Sequence, residues 1–129
     1  MANLLKYQKL TLLWALFVLF MCCAPMGSVE HSVHFFPGFD KLVHCGFFFV
    51  FTVLLANGFI HQHGRLYFKH TFGIIVASIS FGALIEVLQY VVFTWRDGDW
   101  ADLFADTVGI GMAAFCILVV LAATRYEKV

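Results

Sequence analysis

Four long apolar runs organise this chain, at about Leu10–Met26, Leu42–Ile60, Thr71–Phe93 and Leu103–Ala123. Each approaches the ~20 residues that a helix needs to cross a hydrocarbon core. Turn chemistry falls between or at the ends of the runs: Pro25-Met26-Gly27-Ser28, Asn57-Gly58, His63-Gly64-Arg65 and Asp97-Gly98-Asp99. The runs are unbroken and lack the alternation of a barrel strand. The pattern predicts an all-α polytopic membrane protein with four transmembrane helices, forming one domain over residues 1–129.

Composition points to the same solvent. The chain is 62% apolar, with a mean hydropathy of +0.89 and only 12% charged residues. Soluble domains carry roughly 25% charged residues, which they need to cover their surface. The formal net charge is zero, which gives no electrostatic footprint for nucleic acid. Cys22 and Cys23 are adjacent while Cys45 and Cys116 sit in separate runs, so the spacing suggests neither a disulfide framework nor a zinc site. The first run has a basic start but no clean small-residue cleavage site near Ala24-Pro25, so a retained helix is the expectation.

Lys and Arg set the orientation. Lys6, Lys9, Arg65, Lys69, Arg125 and Lys128 flank one side of the four runs, and only Lys41 and Arg96 flank the other. The positive-inside bias then puts both termini and the middle loop in the cytoplasm. The stretch "WRDGDWADLFAD" faces outward and holds Asp97, Asp99, Asp102 and Asp106, half of the chain's eight acids.

The polar residues inside the runs share faces. Asp40 and His44 are four apart, with Lys41 beside them; Glu86 and Gln89 are three apart; Asp99, Asp102 and Asp106 follow a single stripe that continues to Gly109 and Ala113. All lie near the outward ends of their helices. A carboxylate facing lipid costs at least ~2.5–3.5 kcal/mol near the bilayer centre, so the stripes are expected to face each other in an outward-open polar pocket. Lys41 and Arg96 would offset its acids. A plainer reading makes Asp97 a solvated loop residue and Glu86 and Asp106 helix–helix hydrogen-bonding groups. The first helix has no such stripe and is expected only to pack. Phe47, Phe48, Phe49 and Phe51 read as lipid contact, and Trp95 and Trp100 as interfacial anchors. Gly82, Gly109 and Gly111 suit close helix approach. The inner halves of the runs are almost purely apolar, which argues against a channel or pump. His31 and His34 with Glu30 do not make a metal site by themselves, and no metal or cofactor is expected.

Three segments, "FDKLVHCGFF", "GALIEVLQ" and "RDGDWADLFADTVG", occur in an order that resembles the VanZ-like family of small bacterial membrane proteins. The family pattern opens one helix with D-K-x-x-H, places E-x-x-Q in the next, then an Arg, and opens the last helix with D-x-x-x-N-x-x-G. Asp40, Lys41 and His44 match the first element, Glu86 and Gln89 the second, and Arg96, Asp102 and Gly109 the third. Asp106 stands where the family usually has Asn, and Ala113 where a glycine often follows. The resemblance spans about residues 36 to 120. It implies a multi-pass protein of the bacterial cytoplasmic membrane, with a link to low-level resistance to teicoplanin-type glycopeptides.

Two functions are therefore expected to compete. One is an outward-facing module in which Asp40, Lys41, His44, Glu86, Gln89, Arg96, Asp102 and Asp106 bind a polar ligand, such as a lipid-linked cell-wall precursor or a glycopeptide. The other is a membrane-embedded hydrolase or transferase acting on a lipid-linked phosphate. There Asp40, Glu86, Asp102 and Asp106 would hold a hard cation such as Mg²⁺, with His44 as general base.

Overall fold

The computed structural model describes residues 2–23, 39–92 and 100–127. Five helices account for nearly all of them: α1 (Ala2–Tyr7), α2 (Lys9–Cys23), α3 (Phe39–His63), α4 (Phe68–Val91) and α5 (Trp100–Glu127). No strand occurs among the described residues.

At 25, 24 and 28 residues, α3, α4 and α5 are about 36–42 Å long, enough to cross a ~30 Å hydrocarbon core. All three contain spans apolar enough to do so, at Lys41–His63, Lys69–Val91 and Ala101–Ala123. Their outer faces fit that solvent. Leu13, Phe20, Phe72, Phe104 and Phe115 are each at least 66% exposed, a greasy belt that water would penalise and acyl chains accept. The chain is a multi-pass membrane protein by this criterion. At 15 residues, α2 is only about 22 Å long and falls below the length of the other three.

The helices run alternately up and down. α3 meets α5 in parallel register, with Lys41 at Asp102, His44 at Asp106 and Cys45 at Gly109. α4 runs against both, placing Ser78 at Thr52 and Gly82 at Asp106. Gly109 sets the spacing of the closest pair, because a Cβ there would drive into the Cys45 carbonyl. The expected stripe on α5 faces inward as far as Ala113, and Asp102, Asp106, Gly109 and Ala113 are all buried.

Two apolar clusters fill the interior. Val18, Cys22, Phe48, Ile85 and Ile110 pack beneath the Asp102 end. Ala56, Leu66 and Ile74 pack towards the His63 end. Phe48 is fully buried and Phe51 nearly so; Phe51 stacks on Phe81 and Phe48 packs against it at a tilt. That corrects the reading of the phenylalanines as lipid contact. Four aromatics in five positions spread over more than half of the helix circumference, so some of them must point inward.

Asn57-Gly58 is not a break. α3 continues through it to His63 and stops at Gly64, which has φ +80° and donates its N–H to the Ile60 carbonyl at 2.7 Å. Gly58 instead makes room for Gln8, whose amide would collide with any Cβ at that position. Gln8 marks the joint between α1 and α2. Its Nε2 donates to the Leu55 carbonyl at 3.2 Å, and its Oε1 accepts from the Thr11 hydroxyl at 2.6 Å.

Candidate functional site

Near the starts of α3 and α5 the side chains form a short chain of contacts. Lys41 Nζ lies 2.5 Å from Asp102 Oδ1. The other carboxylate oxygen of Asp102 lies 3.7 Å from His44 Nε2. His44 Nδ1 in turn is 3.1 Å from Asp106 Oδ1. The order Lys41–Asp102–His44–Asp106 therefore leads from the rim into the bundle. Exposure falls along it: a third of the Lys41 side chain is exposed, about a tenth of Asp102 and His44, and 1% of Asp106.

Helix geometry explains the arrangement. Lys41 and His44 are three apart on α3, and Asp102 and Asp106 four apart on α5, so each pair projects from one face. The close crossing at Gly109 then brings the two faces within hydrogen-bond reach. α4 closes the third side. A Cβ at Gly82 would sit 3.1 Å from Asp106 Oδ2, so glycine lets that carboxylate press against the α4 backbone without being pushed aside. Asp106 Oδ2 has no hydrogen-bond partner among the described residues. In apolar surroundings such an atom is expensive to leave unsatisfied.

Glu86 and Gln89 are buried on the α4 face that carries Gly82. Glu86 adds a third carboxylate, so three acids stand against the ammonium of Lys41 and the imidazole of His44. Gln89 turns elsewhere: its Nε2 donates to the Cys22 carbonyl at 2.6 Å, which ties the end of α2 to α4. The first long helix thus joins the polar layer through its backbone, which carries no side-chain signal in the sequence. Trp14 adds a second tie, donating from Nε1 to the Phe47 carbonyl at 2.9 Å.

Six of the eight expected site residues can thus be placed. Lys41, His44, Asp102 and Asp106 come into direct contact, Glu86 is buried on the third helix, and Gln89 serves the α2–α4 contact. The Asp40 backbone lies in the first turn of α3, but its side chain is outside the described residues, as is all of Arg96. Asp97, Asp99, Trp95 and the Trp100 side chain are outside them too, as is the His31–His34 segment. Among the described residues, no three His, Cys, Asp or Glu side chains converge closely enough to hold a metal ion.

The remainder of the bundle is less purely apolar than its sequence suggests. Thr52 and Ser78 are fully buried at mid-height; Thr52 Oγ1 donates to the Phe48 carbonyl at 2.7 Å and contacts Ser78 Oγ at 3.3 Å. Gln8, Thr11 and Thr71 are buried nearer the other end. Phe48, Ile85 and Ile110 stand between the His44 layer and Thr52, so the polar groups form separate layers.

Comparison of the chain with protein-family models, with curated proteins and with solved structures finds no match in any of the three.

Proposed function

We propose that this chain is a VanZ-like, four-span protein of the bacterial cytoplasmic membrane, with both termini cytoplasmic, whose Lys41 end binds an anionic, lipid-linked cell-envelope ligand. One observation carries the reading. The ammonium of Lys41 is partly exposed at the rim, while the Asp102–His44–Asp106 chain it contacts lies buried beneath it. An arriving phosphate or carboxylate competes with Asp102 for Lys41. Asp102, once released, keeps His44 as its partner, so the buried acid is not left stranded. Arg96, at the outward edge of the same helix pair in sequence, would supply a second cation for the ligand. A link to teicoplanin-type glycopeptides follows if the ligand is the precursor those antibiotics sequester.

This reading is preferred to metal-assisted transfer on a lipid-linked phosphate because Asp102 and Asp106 pair with Lys41 and His44 rather than with each other. It also exceeds the purely structural reading, since helix–helix glue does not require an ammonium at an exposed rim.

The test uses full-length protein in nanodiscs with a polyprenyl pyrophosphate as probe, alongside teicoplanin susceptibility of cells expressing it. Charge-assisted hydrogen bonds contribute about 1.5–3 kcal/mol, so Lys41→Gln should weaken binding by about tenfold or more. It should also return susceptibility to that of cells without the protein. Unchanged binding and unchanged susceptibility in a well-folded Lys41→Gln protein would defeat the proposal.

A further inference from the structure

At the opposite end of the bundle a half-open groove of about 390 Å³ runs between α3 and α4, reaching Gln8 at the α1–α2 joint. It begins at His63 and Lys69, where the two helices turn into each other, and extends to Leu55 and Ala77. Eight helical residues on each side make it about 12 Å long. Its character changes along that length. Leu55, Phe59, Ile74 and Ala77 line the part towards mid-bundle, while Gln62, His63, Lys69 and His70 gather at the helix ends. Among the described residues, no carboxylate lines it.

Two rim groups, Lys69 and His70, are set to donate, while His63 spends its proton on the helix backbone. The Tyr67 N–H points at His70 Nδ1 at 3.3 Å, so the neutral ring carries its proton on Nε2. His63 Nδ1 faces the Phe59 carbonyl at 3.2 Å, an acceptor that fixes a proton on that nitrogen. Phe59 holds both rings, stacked on His63 at 4.2 Å between centroids and tilted against His70 at 4.7 Å. Arg65 is turned aside onto the Tyr67 hydroxyl at 2.9 Å. The exposed Lys69 ammonium is thus the cation the rim itself offers.

We propose that this groove is a binding site for an anionic phospholipid, with one acyl chain along Leu55–Phe59 and Ile74–Ala77 and the phosphate at Lys69 and His70. The occupant follows from position and charge. The apolar part lies within the membrane spans Lys41–His63 and Lys69–Val91, so what enters it comes from the bilayer. The polar part lies at the helix ends, where headgroups sit, and presents donors and positive charge with no competing acid among the described residues. A site for free phosphate would need no 12 Å apolar extension. Two positions also leave space in it: Gly73 and Ala77 are exposed along the groove, and a Cβ at Gly73 would meet nothing within 4 Å.

The test is native mass spectrometry of the full-length protein released from mixed phosphatidylglycerol–phosphatidylcholine nanodiscs. Wild type should retain phosphatidylglycerol in preference. Lys69→Gln should cut that retention by about fivefold, the worth of one cation near an anionic headgroup, and bring the two lipids level. Gly73→Leu starts from a Cβ that meets nothing within 4 Å and extends into the groove, so it should lower retention of both lipids, with helical content by circular dichroism unchanged. Should Gly73→Leu not fold, Ala77→Leu, one turn further along, gives the same reading. Equal retention of the two lipids by wild type, or full retention by the filled variants, overturns the proposal. Displacement of the lipid by millimolar inorganic phosphate, equally in wild type and Gly73→Leu, also overturns it and leaves a headgroup-only anion site. None of these readouts involves Lys41, so the outcome is independent of the ligand at the other end.

Discussion

Gly109→Ala and Gly111→Ala change the same atoms on the same helix, two residues apart, and should move stability in opposite directions. In an isolated helix interior, Gly→Ala is favourable by about 0.8–1.0 kcal/mol. At Gly111 the added Cβ meets nothing within 4 Å, so that gain has nothing to oppose it. At Gly109 it meets the Cys45 carbonyl, a backbone atom within α3 that no rotamer change can move aside. Relief requires α3 and α5 to separate by about 1 Å, and overpacking of this kind costs about 1–3 kcal/mol. The same separation stretches the His44–Asp106 contact beyond its 3.1 Å, and a membrane helix–helix hydrogen bond contributes about 0.6 kcal/mol on average. Gly109→Ala should therefore be less stable than wild type by about 1–2 kcal/mol, and Gly111→Ala more stable by up to about 1 kcal/mol. Reversible unfolding in mixed micelles, followed by circular dichroism at increasing denaturing detergent, measures both. Equal stability of the two variants would refute the close α3–α5 crossing, and with it the means by which His44 reaches Asp106.

Three further outcomes follow from the packing. Asp106→Asn keeps an acceptor for His44 Nδ1 at 3.1 Å and should fold within about 1 kcal/mol of wild type. Asp106→Ala leaves that nitrogen unsatisfied and should lose about 1–3 kcal/mol in the same unfolding assay. Gln89→Leu removes the donor to the Cys22 carbonyl, so α2 should loosen at a cost of about 0.6–1.7 kcal/mol; faster labelling of a cysteine introduced at the α2–α4 contact would report it. Phe48→Ala empties a fully buried site and should cost about 3–5 kcal/mol. Phe20→Ala, at a position 66% exposed, should stay within about 0.5 kcal/mol of wild type.

Much of the polar layer at the Lys41 end was legible because helix periodicity is strict. Once Asp102, Asp106, Gly109 and Ala113 are placed on a helix they share a face, and lipid leaves that face nowhere to point but inward. The glycines at 82 and 109 were legible for the same reason, as small residues on polar faces. What sequence reasoning missed involves backbone atoms and helix ends. Cys22 and Phe47 enter the network through their carbonyls, which every residue possesses. Gly58 looked like half of an Asn-Gly turn because the dipeptide is the same whether the chain bends there or another side chain nests against it. Gln8 sits between two lysines near the N-terminus, outside the four apolar runs, yet it is 5% exposed.

By itself, then, the sequence determined the solvent, the helical class and the three long spans, since apolar length and composition act locally and need no partner. It also determined which polar residues share a helix face. Only the tertiary structure decided which face meets which, and that choice depends on fit between helices: on Gly109 against the Cys45 carbonyl, on Gly82 beneath Asp106, and on Gly58 around Gln8. Contacts of that kind are set by shape over a few tenths of an ångström, and no period in the sequence encodes them. The same holds for the groove at the His63 end. Its histidines and Lys69 looked like a cytoplasmic loop, and only the packing of α3 on α4 gives them an apolar channel to guard.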